Sequence, residues 1–161
     1  MHIAHLLTGG NSGNRERYLA QARSKISEEC GELMAASAIF ETAAWGNETQ
    51  RSFYNQALEI KTSLPPEALL AQVLSIEQGM GRIRKEKYGA RTIDIDILFF
   101  EHQIISLPQL TVPHPQLHLR RFALQCLNDI APDLLHPQLR RNVRQLLADC
   151  TDPLEVLQLP A

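Results

Sequence analysis

Arg91-Thr92-Ile93-Asp94-Ile95-Asp96-Ile97-Leu98-Phe99 decides how the rest of this chain is read. Strict alternation makes the segment a strand, with Ile93, Ile95 and Ile97 directed to one face. Asp94 and Asp96 then share the opposite face, roughly 7 Å apart at two residues' rise. Carboxylates held side by side repel each other unless a cation neutralises them. A solvated strand face is the plain alternative, and the residues just upstream argue against it. Arg82, Arg84, Lys85, Lys87 and Arg91 place five cations within ten residues, opposed only by Glu86. Paired carboxylates suit Mg²⁺, which keeps several waters and takes further ligands from phosphate oxygens. Guanidinium and ammonium groups suit the outer phosphate charge. Acid and base in one segment therefore favour a metal–polyphosphate complex over a bare metal site.

The remaining composition narrows the class. At 161 residues one domain, 1–161, is expected, large enough to bury its apolar surface without staples. A net charge of −2 leaves the positive charge local, which argues against a general nucleic-acid binder. Cys30, Cys126 and Cys150 are odd in number, lack metal-type spacing and read as buried thiols of a reducing compartment. No apolar run approaches a membrane span, and the N-terminus lacks a basic-then-apolar signal pattern. The expectation is a soluble, cytoplasmic protein.

Ile3 to Leu7 reads as a short strand ending at the turn signal Thr8-Gly9-Gly10-Asn11. Asn14 caps a helix with apolar positions Leu19, Ala22, Ile26 and Cys30, stopped by Gly31. A β-type run follows from Leu33 to Thr42, then a loop from Ala43 to Arg51, then an alternating run from Phe53 to Thr62. Pro65-Pro66 opens a second helix through Leu69, Leu70, Val73, Leu74 and Ile76, closing around Gly79 and Gly81. With the acidic strand this gives βαββαβ, the ferredoxin-like order. The expected class is α+β, an antiparallel sheet with helices on one face. A C-terminal helical extension is expected from about Leu119 to Asn128 and from Pro137 to Ala148.

Several motifs now form a spaced set: Gly9-Gly10-Asn11, Phe53-Tyr54-Asn55, Gly81-Arg82-Ile83-Arg84, and Tyr88-Gly89-Ala90-Arg91-Thr92-Ile93-Asp94-Ile95-Asp96. Val112-Pro113-His114 follows about 17 residues later, and Arg120-Arg121-Phe122 after that. The set closely resembles the 6-hydroxymethyl-7,8-dihydropterin pyrophosphokinase family of folate biosynthesis, from about Ile3 to Pro132. The resemblance implies that the β- and γ-phosphates pass together from ATP to the pterin's hydroxymethyl oxygen, leaving AMP. It also implies two Mg²⁺ ions and a cytoplasmic monomer whose partners are ATP and a dihydropterin, with no nucleic acid and no membrane. By position Asp94 and Asp96 would hold both ions, and Arg82 and Arg91, on the ATP side, would complete the catalytic set. Arg84, Lys85, Lys87, Glu77, Ile97, Thr111, His114 and Arg120 would serve the nucleotide. Thr42, Ala43, Trp45, Phe53, Asn55, Tyr88 and Phe122 would form the pterin pocket.

The residue types suit those roles on their own terms. Attack at the β-phosphorus brings anions together, so catalysis is mainly positioning and charge neutralisation. A flat heteroaromatic substrate wants an aromatic face for stacking and an amide for its polar edge. Phe53 and Asn55, two apart on one strand face, supply one of each, and Phe122 would supply the opposing aromatic. Glu77 near its helix end would orient a neighbouring cation. His2, His5, His102, His118 and His136 lack ligand spacing and read as structural.

The chain departs from the family pattern at a few positions. Gly9-Gly10-Asn11 replaces G-S-N, and Tyr88-Gly89-Ala90-Arg91 replaces W-G-P-R. Ala43-Ala44 stands where Pro-Pro is frequent, which frees the backbone. Lys87 stands where arginine is common, exchanging a bidentate phosphate contact for a point charge. Pro115 stands where an aromatic can occur. Two other classes compete: a ligand-sensing module, which needs neither the acid pair nor the basic loop, and a single-stranded RNA binder, whose phosphates the strand carboxylates would repel.

Overall fold

Two strands that are buried on both faces along most of their length organise the chain. They are β1 (His2–Gly10) and β4 (Phe53–Thr62), antiparallel neighbours from His2↔Thr62 to Gly10↔Tyr54. The computed structural model describes residues 1–43, 51–81 and 92–160. It places β5 (Asp94–Phe100) on the other side of β1, and β2 (Glu32–Ala36) and β3 (Phe40–Thr42) along β4. A further strand, β8 (Val156–Gln158), lies outside β3, so the six-stranded sheet runs β5-β1-β4-β3-β8 with β2 also on β4. Every pairing in it is antiparallel. A separate small hairpin joins β6 (Ile105–Ser106) to β7 (Thr111–Val112).

Alternation divides the core into two layers. On one face, α1 (Arg15–Glu29) and α2 (Pro66–Gly79) bury Leu19, Ala22, Ile26, Leu69, Val73 and Ile76. These meet Ala4, Leu6, Leu58, Ile60, Ile95 and Ile97 from the sheet, with Ile93 just before β5. On the other face, α3 (Arg121–Ile130) and α4 (Val143–Asp149) bring Ala123, Leu124, Leu127, Val143 and Leu146 against Leu7, Ala57, Leu98 and Phe99. Helices on one face therefore describe α1 and α2 only. Leu7, Ala57, Leu98 and Phe99 make the reverse face apolar too, and that surface has to be covered.

Local signals explain most element ends. The Asn14 side chain accepts Arg17 N–H at 3.1 Å to cap α1, and Pro66 at the start of α2 removes a donor that would have no helical partner. Several boundaries differ from the sequence reading, including β5, which starts at Asp94, and α3, which starts at Arg121. β1 runs on from Leu7 to Gly10, because β4 and β5 pair with it on both sides. The run from Leu33 to Thr42 is two strands. Between them Ser37 Oγ accepts Ala57 N–H at 2.9 Å, and Gln56 Nε2 donates to the Ser37 carbonyl at 2.7 Å. α4 starts at Val143, where Asn142 and Gln145 form a reciprocal capping box. The residues after Pro137 turn instead around His136, whose Nδ1 accepts the Gln138 and Leu139 N–H groups. β8 carries no alternation long enough to announce it.

Candidate active site

Cross-strand register builds the site. Gly9 on β1 pairs with Asn55 on β4 and with Asp94 on β5, so one row across the sheet reads Asn55, Gly9, Asp94. The next row on the same face reads Ala57, Leu7, Asp96. Phe40 on β3 extends the first row, and the Thr42↔Phe53 pair lies one row further out. The face that carries both carboxylates thus also carries Thr42, Phe53 and Asn55. It is the face covered at its other end by α3, where Phe122 packs against the second core layer.

Gly9 makes that row possible. A Cβ added there would overlap Asn55 Nδ2, so a central strand position is left bare for the amide to lie across it. Asn55 is 6% exposed, and its Nδ2 donates to the Thr8 carbonyl at 3.4 Å. Its Oδ1 is buried with no hydrogen-bond partner among the described residues. A buried acceptor in that state costs about 1–3 kcal/mol until a donor arrives, so the atom is poised for an incoming N–H.

The acidic strand is held along its outer edge. Glu77, 2% exposed near the end of α2, accepts the Ile95 N–H on Oε2 at 2.7 Å, between the two aspartates. A carboxylate in a helix's last turn is disfavoured by the helix dipole, and this hydrogen bond offsets that cost. Further along, the β1–β5 register slips between His5 and Leu6, leaving Leu98 as the extra residue of a bulge. The Leu98 carbonyl accepts His114 N–H at 3.0 Å, which brings His114 beside the acidic strand. Burial, helped by the Arg120 charge and opposed by Asp94, pushes the His114 imidazole down to about 4. His114 Nδ1 accepts Gln116 N–H at 3.2 Å, so in the neutral ring Nε2 carries the proton and is a donor. Arg120 reaches Gln116 Oε1 at 3.4 Å and lies 5.9 Å from the centre of the Phe122 ring.

The other expected residues fall as follows. Thr42 is buried and its hydroxyl donates to the Glu155 carbonyl at 3.1 Å, while Ala43 is exposed. Ile97 is buried among the α1–α2 layer, opposite the aspartates. Thr111 is exposed on β7, next to the buried Val112. Trp45, Arg82, Arg84, Lys85, Lys87, Tyr88 and Arg91 lie outside the described residues. Among the described residues no third His, Cys, Asp or Glu joins Asp94 and Asp96 in a metal-type cluster. The sequence marks Gly9 as part of a turn and of the Gly9-Gly10-Asn11 motif but assigns it no role in the site; a glycine two residues past an apolar run is the available signal.

Known proteins resemble the chain at both levels. The family model for 7,8-dihydro-6-hydroxymethylpterin-pyrophosphokinase (HPPK) matches residues 5–132. A 2-amino-4-hydroxy-6-hydroxymethyldihydropteridine pyrophosphokinase of Aquifex aeolicus is 38% identical over 151 residues, 94% of either chain. The Bacillus subtilis protein of the same name is 42% identical over 130 residues, 80% of this chain and 78% of its own. Plasmodium falciparum HPPK-DHPS, solved with pteroate, superposes with a TM-score of 0.75 at 19% identity. That match covers 91% of this chain and 42% of the Plasmodium one, so this chain spans under half its length and the likeness concerns fold. The family match begins inside β1 and ends just past α3, taking in every strand that carries Asn55, Asp94 and Asp96, and the chain belongs to the HPPK family.

Proposed function

We propose that the chain transfers the β- and γ-phosphates of ATP together to the hydroxymethyl oxygen of 6-hydroxymethyl-7,8-dihydropterin, releasing AMP. Family membership supports the reaction, and the Asn55–Gly9–Asp94 row is the observation that carries its placement. Two strand spacings separate the amide from the first carboxylate, about 10 Å. A bicyclic pterin held at its polar edge by Asn55 would extend its hydroxymethyl arm toward Asp94 and Asp96.

Phe53 and Phe122 would stack on the two faces of the ring, and the unsatisfied Asn55 Oδ1 would accept a ring N–H. With its hydroxyl committed to Glu155, Thr42 would meet the pterin through its main chain, as would Ala43 beside it. Trp45 and Tyr88 would complete the pocket. On the nucleotide side, Arg82, Arg84, Lys85, Lys87, Arg91 and Arg120 would balance the triphosphate charge. His114 would donate from Nε2, and Ile97 and Thr111 would contribute from the main chain and the rim. Glu77 would serve by holding the acidic strand at Ile95.

Asp94 and Asp96 fit a divalent cation: two half-buried carboxylates on one face leave the remaining positions to phosphate and water, as Mg²⁺ prefers. Mg²⁺ bound there, as two ions in this reading, would supply charge neutralisation at the entering and leaving oxygens. The chain itself aligns the hydroxyl with the β-phosphorus and excludes water from the slot. With β2 and β3 counted as one interrupted strand beside β4, the element order and the β5-β1-β4-β3 pairing support the ferredoxin-like reading, with α3 and α4 as a C-terminal helical extension. We take residues 1–161 as one pyrophosphokinase domain acting as a cytoplasmic monomer. Incubation with ATP, Mg²⁺ and the dihydropterin tests the reading: AMP and pterin diphosphate should appear in equal amounts. No AMP at saturating substrates, or ADP in its place, overturns it.

A further inference from the structure

Residues 150–159 lie beyond the 5–132 family match and are attached to both walls of the slot. Asp152 is 6% exposed and uses both carboxylate oxygens. Oδ2 accepts Arg121 N–H at 3.1 Å, and Oδ1 accepts Leu154 N–H at 3.0 Å. Arg121 is the first residue of α3, and Arg120 before it provides no side-chain cap. Asp152 therefore caps that helix from a distant part of the chain, placing a carboxylate where the helix dipole favours one. Arg121 answers with Nε to the Asp152 carbonyl at 3.1 Å and Nη2 to the Cys150 carbonyl at 2.7 Å. Phe122 is the next residue along.

The same segment then crosses to the opposite wall. Glu155 accepts the Thr42 hydroxyl, β8 pairs Val156 with Thr42 and Gln158 with Phe40, and Leu159 N–H donates to the Ile39 carbonyl at 2.9 Å. Val156 packs into the layer shared by Phe40 and Phe122. The start of α3 and the end of β3 are thus tied by a few residues of one strap, and the gap between Phe122 and the Thr42–Phe53 pair depends on it. Neighbouring arginines divide the work: Arg121 is spent on the strap, while Arg120 remains on the nucleotide side.

We propose that Asp152, acting through Arg121 and β8, is a positioning residue that sets the width of the dihydropterin slot and so governs pterin affinity without governing nucleotide affinity. The proposal rests on the pterin reading of that slot. Asp152→Ala should raise the pterin KM about tenfold, the equivalent of one lost charge-assisted hydrogen bond, with kcat at saturation little changed. Asp152→Asn keeps one acceptor and should fall between Asp152→Ala and the unaltered chain. The ATP KM should stay within roughly twofold in both. Fluorescence titration with 6-hydroxymethylpterin, in the presence of α,β-methylene-ATP and Mg²⁺, should repeat the loss as a binding constant. Arg121→Gln leaves the carboxylate in place, removes the guanidinium contacts and should give the same split, which keeps the idea testable if Asp152→Ala does not fold. A merely structural staple would lower the melting temperature and leave pterin KM alone; that result, or pterin and ATP KM rising together, overturns the proposal. Failure of the pyrophosphokinase reading would be seen separately, as absence of AMP from the unaltered chain.

Discussion

Gly9→Ala tests the proposed recognition amide, Asn55, apart from the fold that carries it. The new methyl would overlap Asn55 Nδ2, stand 3.1 Å from Asn55 Cγ and lie 3.3 Å from the Tyr54 carbonyl oxygen. Relief at Tyr54 needs only a small backbone adjustment. The Asn55 side chain must leave its rotamer altogether, giving up its 3.4 Å hydrogen bond to Thr8. Overpacking a core position costs about 1–3 kcal/mol, and here the yielding group is the end of one side chain, so about 1–2 kcal/mol is expected. A domain with roughly 5–15 kcal/mol of stability remains folded after that loss. Pterin binding should suffer more, because substrate polar groups left without the amide each cost about 1–3 kcal/mol. The pterin KM should therefore rise about 10- to 100-fold, while the ATP KM holds. Steady-state kinetics with each substrate varied, alongside a thermal melt, gives both numbers. A folded Gly9→Ala chain with unaltered pterin KM refutes the assignment of Asn55.

Further expectations concern the acidic strand and pH. Asp96→Ala should lower kcat by roughly a thousandfold, several kcal/mol of charge stabilisation, with an unchanged melt; ordinary turnover would remove Asp96 from the metal site. Glu77→Ala should cost about 1–3 kcal/mol in denaturant titration, because Ile95 N–H is left buried without its acceptor, and should lower kcat with it. Glu77→Gln, which retains an acceptor oxygen, should lose less; equal stability for the alanine variant would dismiss the anchor. Burial lowers His5 below its ordinary 6.5, with the Glu59 hydrogen bond pulling the other way. The unfolded chain then binds a proton that the native His5 resists, so stability should be full above about pH 6.5 and fall as pH drops through that value. Melts from pH 8 to pH 5 should show the decline, to which buried His114 and His136 add in the same direction, and His5→Gln should make it shallower; an unaltered slope would acquit His5.

The acid pair on one strand face, the caps of α1, the paired prolines opening α2 and the whole of β4 were legible because each depends on neighbours within a few residues. Period-two alternation and helix-end chemistry are local and leave their marks in order along the chain. The row Asn55, Gly9, Asp94 was not legible in that way. It joins residues 46 and 39 positions apart in order along three strands, and only pairing register brings them together. Position in the chain marks Glu77 only for a neighbouring cation, and it takes the packing of α2 to set its carboxylate against the Ile95 amide. The strap from Cys150 to Leu159 was silent for the same reason: the side chains of Asp152, Arg121 and Thr42 each bond a main-chain group, which every residue offers, and only the folded chain chooses among them. Chemistry-bearing side chains could be nominated from their order in the chain; their spacing is a property of the sheet.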